Sequence, residues 1–342
     1  MGKRRNRKRT RSSPPTNNDN DNDKASAIAS TPPTDTVPPI THEGQMPQKK
    51  FYRSRAHCNP LSFNEAFDYP PRPDLFDWTE EHYPNHPQLS DCGTDAGEFS
   101  ASSAQIHPTV LDVGCGFGGL TLALSALLPE ETILGLEIRS KVTEYVRLRI
   151  LASRKEAMGT GASIAGCDGD GETHDAEKED GETHDAEKDD TETDATDRDD
   201  PNDKRASHRP THQNASVLRT NAMKYLPNHI PPRSLSKLFF CFPDPHFKKK
   251  NHPRRIVSTR LLTEYAHWLK PGEGKLYCIT DVRDLHEWHV ERCEEHPLFE
   301  EVTEEEMEGD ECVWAMRTET EEGKKVRREG REMWWKVYRR VG

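Results

Sequence analysis

The chain is short of hydrophobic residues. Of its 342 residues, 32% are hydrophobic and 7% aromatic, and the mean hydropathy is -0.97. A chain of this length that folded throughout would carry a larger apolar share, so a sizeable part is expected to stay unfolded. No long apolar run occurs, which predicts no membrane span and no secretory leader. None of the eight cysteines forms a CxxC pair and no histidine cluster completes a zinc pattern, so no metal site is expected. This cysteine usage fits a reducing intracellular compartment. Charge of one sign is not spread evenly either. Between Asp168 and Asp203 there are 18 acidic and 3 basic residues, so the net charge of -12 reverses to +3 for the remainder. A uniformly acidic protein would repel polyanions, whereas a near-neutral core can bind one through a local patch.

What is present is organised around Thr109-Val110-Leu111-Asp112-Val113-Gly114-Cys115-Gly116-Phe117-Gly118-Gly119-Leu120. An apolar strand runs into a glycine-rich turn and then a helix. Gly114, Gly116 and Gly118 permit a tight turn that a Cβ would obstruct, and let backbone N–H groups approach a ligand at the helix N-terminus. A second apolar strand, Thr132 to Leu136, ends in Glu137, where nucleotide-binding folds place the acid that holds ribose hydroxyls. These two features do not separate a dinucleotide from S-adenosylmethionine (SAM).

Residues 1–48 read as a disordered tail, with seven basic residues among the first eleven, a run suited to nuclear import or nucleic-acid contact. Residues 49–108 form an arm rich in proline and aromatics, read as extended and pinned to the domain surface by its rings, followed by a polar connector. Residues 109–342 form the main domain. An acidic insert at 159–213 interrupts it, with a near-perfect ten-residue tandem repeat from Gly171 to Asp190. A repeat this short and polar has no face to bury and cannot build a solenoid. Further strands are expected at Ala215–Ala222, Ser236–Phe242 and Gly274–Thr280. Helices are expected at Ile256–Trp268 and Leu285–Cys293. Trp314–Val341 reads as strand, polar loop, strand. The alternation predicts an α/β fold with a mostly parallel central sheet.

Ligands of such sheets sit beyond the carboxyl ends of the strands. By position, Asp112 and Gly114 would line the amino-acid moiety of a cofactor, Glu137 its ribose and Asn221-Ala222 its adenine, with Cys241 and Phe242 close by. In Phe242-Pro243-Asp244-Pro245-His246, two prolines stiffen the backbone on either side of an acid, as a catalytic or recognition group needs. His246, Lys248, Lys249, Lys250, His252, Arg254 and Arg255 follow, a basic patch fit for a polyanionic substrate.

These blocks give the chain a family likeness. It resembles the eukaryotic catalytic subunit of the tRNA (guanine-N7)-methyltransferases, which are class I SAM-dependent methyltransferases with a Rossmann-like sheet. The blocks that carry this are Arg55-Ala56-His57 with Asn59-Pro60, Asp112 to Gly119, Ile133 to Arg139, Asn221 to Pro227, Phe240 to Lys249, Ile279 to Val282 and Thr320 to Lys325. The glycine turn is generic to SAM enzymes, whereas the Phe240–Lys249 and Thr320–Lys325 blocks are specific. The resemblance implies methyl transfer to N7 of a guanosine in the tRNA variable loop. It implies SAM contacts from Gly114, Glu137, Ile138, Asn221, Ala222, Cys241, Thr320, Glu321 and Glu322, and no metal. Asp244 matches the family's catalytic acid. A non-catalytic WD-repeat subunit as heterodimer partner and a nuclear location are further implications. The acidic insert and Trp334-Trp335 depart from the family pattern.

N7 of guanine carries a lone pair and needs no deprotonation, so Asp244 is expected to orient the base through its N1–H and N2–H edge rather than act as a general base. Three rival readings account for less of the sequence. A dinucleotide oxidoreductase leaves the proline-bracketed acid and its lysines unexplained. An exocyclic-amine methyltransferase calls for an Asn/Asp-Pro-Pro-aromatic loop. A non-catalytic tRNA-binding scaffold predicts erosion of Gly114, Glu137 or Asp244, all of which are present.

Overall fold

The central strands of the sheet are buried on both faces. The computed structural model describes residues 44–55, 58–62, 66–86, 106–160 and 210–342, all within one compact unit, Pro38–Gly342. The basic run, the acidic repeats, most of the connector, and the motif residues Ala56 and His57 lie outside the described residues.

Among the described residues, seven strands form one sheet. They are β1 Val110–Val113, β2 Ile133–Glu137, β3 Ala215–Arg219, β4 Lys237–Cys241, β5 Lys275–Thr280, β6 Phe299–Glu301 and β7 Trp334–Arg340. Their order is β3-β2-β1-β4-β5-β7-β6. Only β7 runs against the rest, pairing antiparallel with both β5 and β6. The helices are α1 Gly119–Leu127, α2 Ser140–Thr160, α3 Ala222–His229, α4 Thr259–Trp268, α5 Arg283–Glu294, α6 Glu304–Glu308, α7 Glu311–Thr318 and α8 Glu321–Arg328. None is long and apolar enough to cross a membrane.

Successive strand residues point to opposite faces. Leu111, Leu238, Phe240, Leu276 and Cys278 join one core with α3 and α4. Val110, Phe239, Tyr277 and Ile279 join a second with α1 and α7. The strand order reverses direction of growth between β1 and β4, which opens a crevice at their carboxyl ends.

The arm departs from expectation. Trp78 and Tyr83 are fully buried members of the first core, and the Tyr83 hydroxyl donates to the Ile133 carbonyl at 3.1 Å. Each such ring contributes roughly 2–3 kcal/mol of burial, so this part of the arm belongs to the domain core instead of lying on its surface. Arg154 on α2, itself buried, binds the arm to the sheet. It donates to the carbonyls of His82 at 2.7 Å and Ala215 at 2.6 Å, and to His212 at 3.2 Å.

The C-terminal region is also different. Glu311–Thr318 is a helix, because Cys312, Val313, Ala315 and Met316 recur at helical spacing and Asp310 caps it by accepting from Cys312 N at 2.9 Å. A second helix, α8, follows from Glu321, and only Trp334–Arg340 is a strand. The expected first strand gave way because the helical period and the cap outweighed the strand propensity of Val313 and Trp314.

Candidate functional site

A cavity of about 690 Å³ occupies the crevice at the β1/β4 switch. The glycine turn after β1 forms its floor through Val113, Gly114, Cys115, Gly116 and Phe117. Glu137, Ile138 and Arg139 come from the end of β2, and Thr220, Asn221, Ala222 and Met223 from the β3–α3 junction. Cys241 to His246 extend from β4. Asp281 follows β5, and Glu321, Glu322 and Lys325 come from α8. Cys58 and Pro60 reach in from the arm.

Gly116 sits at φ +56°, and a Cβ there would meet nothing within 4 Å, so the space above it belongs to the cavity. Gly119 has a different need. A Cβ on it would lie 2.2 Å from the Glu319 carbonyl oxygen, because the segment leading into α8 packs directly on the start of α1. That contact carries Glu321 to the cavity rim, where it lies 3.7 Å from Lys49 and 3.8 Å from Arg149. Arg149 also donates to the Phe117 carbonyl at 3.0 Å.

Glu137 is buried and richly donated to. Its Oε1 accepts from Ile138 N at 2.8 Å, Arg139 N at 2.9 Å and Arg139 Nε at 3.0 Å, and its Oε2 from Arg139 Nη2 at 2.8 Å. Four donors hold the carboxylate in one orientation, and Oε2 keeps capacity for a further hydroxyl. Asn221 caps α3 by accepting from Met223 N at 3.1 Å and donates to the Pro60 carbonyl at 2.6 Å, buckling the arm to the site. The Thr220 hydroxyl is buried at the cavity wall and has no hydrogen-bond partner among the described residues. An orphaned hydroxyl, an oriented acid and a Cβ-free turn together fit a ligand with hydroxyls and a charged amino-acid end, as SAM has.

Two expected lining residues are elsewhere. Asp112 is buried beneath the turn, where it accepts from the Thr121 hydroxyl at 2.8 Å. Burial pushes its carboxyl up to about 7, despite the opposing effect of that hydroxyl. Its carboxylate is engaged by α1 through Thr121, and it is not among the residues lining the cavity. Thr320 does not line the cavity either. Its hydroxyl accepts from Gly323 N at 3.0 Å as the cap of α8 and donates to the Met316 carbonyl at 3.2 Å. The acidic pair after it and the basic residues four to eight positions later are a helix signature that the sequence already carried. The remaining expected residues, Gly114, Glu137, Ile138, Asn221, Ala222, Cys241, Asp244, Glu321 and Glu322, share the one cavity. Thr220, Arg139 and the arm residues Cys58 and Pro60 were not anticipated as contributors; the Glu-Ile-Arg spacing was the only local sign of the Arg139 pair.

The Asp244 loop is held in an uncommon backbone shape. Phe242 at φ +50° and His246 at φ +45° are both left-handed without being glycine. Such residues cost of order 1–3 kcal/mol each and persist where the surroundings over-determine them. Asp244 is about one-third exposed, faces the cavity, and accepts from His246 N at 3.3 Å. Burial pushes the thiols of Cys115 and Cys241 well up, so neither is a thiolate nucleophile. Among the described residues no group of three or more His, Cys, Asp or Glu is arranged to hold a metal.

A parallel sheet reversed only at β7, with its crevice at the β1/β4 switch, is the architecture of the class I SAM-dependent methyltransferases. The family model described as "Putative methyltransferase" matches residues 106–158 and 200–336, more than half of the chain. The tRNA (guanine-N(7)-)-methyltransferase of Botryotinia fuckeliana is 42% identical over 87% of this chain and 89% of its own length. Those of Xenopus laevis and Zea mays are each 40% identical, covering 86% and 87% of this chain and 90% and 94% of theirs. The chain belongs to the tRNA (guanine-N7)-methyltransferase family. Among solved structures, the 16S rRNA methyltransferase KamB overlaps 72% of this chain and 96% of its own at 15% identity, with a TM-score of 0.36.

Proposed function

We propose that this chain transfers the methyl group of SAM to N7 of a guanosine in the tRNA variable loop, giving N7-methylguanosine. The observation that carries the reading is the single cavity in which the glycine turn, the Glu137 carboxylate and the proline-bracketed Asp244 meet. When bound, SAM supplies a sulfonium-activated methyl group. The chain's own residues position its target. Glu137, fixed by Arg139, accepts a ribose hydroxyl; Thr220 and Asn221 border the adenine side; Gly114 and Gly116 leave room for the amino-acid end; Ile138, Ala222 and Cys241 provide the apolar wall. Glu321 and Glu322 close the rim, and Thr320 acts through its cap on α8.

Asp244 accepts from the N1–H and N2–H edge of guanine and so turns N7 toward the cavity floor. N7 attacks through its own lone pair, so no proton has to leave before the methyl is transferred. The negative charge of Asp244 also favours the cationic base that forms. Lys248, Lys249 and Lys250 hold phosphates, which positions the RNA without reading its sequence. The target base must be reachable, so local opening of the tRNA is part of binding.

Two further points extend the reading. A WD-repeat subunit completes the tRNA-binding surface as a heterodimer partner, and the basic run Lys3–Arg11 directs the chain to the nucleus; both follow from the resemblance and from that run of charge. The test is methyl transfer from labelled SAM to total small RNA, with and without a co-expressed WD-repeat subunit, followed by nucleoside identification. N7-methylguanosine in the variable loop supports the reading, and another methylated nucleoside overturns it. Nuclear location is checked by imaging a tagged chain with Lys3–Arg11 neutralised.

A further inference from the structure

Asp244 lies in a segment poor in backbone donors, with His246 N–H reaching its carboxylate at 3.3 Å. Pro243 and Pro245 have no N–H to give, and no helix or strand covers residues 243–247. Arg255, ten residues further on, reaches back to it. Its Nε donates to the Pro245 carbonyl at 2.9 Å. Arg255 is 5% exposed, and its guanidinium lies 4.6 Å from the centre of the Trp288 ring. Trp288 is fixed in turn, because its indole N–H donates to the Val257 carbonyl at 2.8 Å. Arg292 lies 5.0 Å from the same ring, and the His252 ring meets it edge-on at 5.1 Å.

We infer that Arg255, seated on Trp288, is the positioning residue that fixes the Asp244 carboxylate for guanine recognition. The inference rests on the reading of Asp244 given above. A charge kept out of water is costly unless its donors and its face are used. Burial lowers the Arg255 pKa, with Asp284 nearby acting against that effect. A plain phosphate-binding arginine would sit exposed, as Lys249 and Lys250 do. Arg255 is instead spent on a backbone carbonyl adjacent to Asp244 and on one aromatic face. A guanidinium supplies the planar stack and the directed Nε donor together, and an ammonium supplies a charge without that geometry. The left-handed backbone at Phe242 and His246 needs such an outside hold, since a strained loop relaxes when its support is removed.

The experiment compares Arg255→Lys, Trp288→Phe, Asp244→Asn and the double variant Asp244→Asn/Arg255→Lys in the full chain with its partner subunit. Single-turnover methyl transfer at saturating tRNA is read beside SAM binding, tRNA binding and thermal stability. Arg255→Lys is expected to slow transfer by about 10- to 100-fold, the range that a misplacement of roughly 1 Å commands. SAM binding, tRNA binding and melting temperature should stay near wild type. Trp288→Phe keeps a ring for the guanidinium and should lose less. The double variant should be no slower than Asp244→Asn alone, because both changes remove one interaction.

Asp244→Asn at full rate overturns the reading of Asp244, whatever Arg255 does. With Asp244→Asn slow, a wild-type rate for Arg255→Lys overturns the positioning role. Multiplying losses in the double variant overturn it too, and assign Arg255 an independent contact. A loss of tRNA affinity that matches the loss of rate makes Arg255 a phosphate ligand instead. Where Arg255→Lys lowers the melting temperature markedly, a Trp288→Leu variant, which removes the ring beneath the guanidinium, overturns the proposal if it melts as wild type yet transfers at full rate.

Discussion

The two walls of the cavity are built on opposite principles. The wall from β1, β2 and β3 is made of backbone and, the Thr220 hydroxyl apart, of polar groups with protein partners. Its turn uses glycine where φ is positive, and its acid, Glu137, is held by four donors within two residues of itself. The wall from β4 puts non-glycine residues in the left-handed region, brackets its acid with prolines, and takes its support from Arg255. The first wall is relaxed and self-contained, as suits a ligand bound the same way at every turnover. The second holds strain against external support, as suits the aiming role proposed for Asp244.

The strongest way to break this contrast is Asp244→Asn. Transfer at saturating tRNA is expected to fall about 100-fold, while calorimetric SAM affinity stays within roughly twofold. An equal loss of SAM binding would mean that the walls act as one. Gly116→Ala should do the reverse. A Cβ at φ +56° costs about 1–2 kcal/mol and enters the cavity, so SAM affinity should fall roughly tenfold, with tRNA affinity measured by filter binding unchanged.

Glu137→Gln is expected to be milder. It keeps the shape but gives up charge-assisted bonds from Arg139, lowering stability by about 1–2 kcal/mol in chemical denaturation and weakening SAM several-fold.

The smallest effects on activity come from pH, and they separate the floor of the first wall from the arm. Burial raises Asp112 to about 7, above the value near 3.9 of the unfolded chain, so between these values the native state holds the extra proton. Stability from this group therefore falls as pH rises from about 4 to 7, and Asp112→Asn should remove that slope. His82 in the arm has the opposite sign. Burial depresses it to about 4, below the usual 6.5, so its stability is lost as pH falls from about 6.5 to 4. His82→Gln should flatten the acid limb. Melting temperatures measured from pH 4 to 8 on both variants check the two slopes.

Much of this architecture was legible locally. The glycine turn, the acid ending β2 and the Pro-Asp-Pro segment each announce themselves within a few residues, because turns, caps and rigid loops are set by local backbone sterics. Asn221 caps the helix at Ala222–His229, which runs on through Pro227. At Glu311–Thr318 the helical period of the buried residues outweighs the strand propensity of Val313 and Trp314.

The sequence by itself determined the α/β class, the cofactor turn and the family, since these rest on residue types at fixed spacing. Only the tertiary structure decided which neighbours share the cavity. Gly114 lines it while Asp112, two positions earlier, lies beneath it. Thr320 is spent on a cap. Trp78 and Tyr83 enter the core, and Arg255 reaches Pro245. Each of these depends on side-chain direction at a strand end or on contacts across a crossover. Local propensity carries no information about either, because they are fixed only when helices and strands distant in the chain pack together.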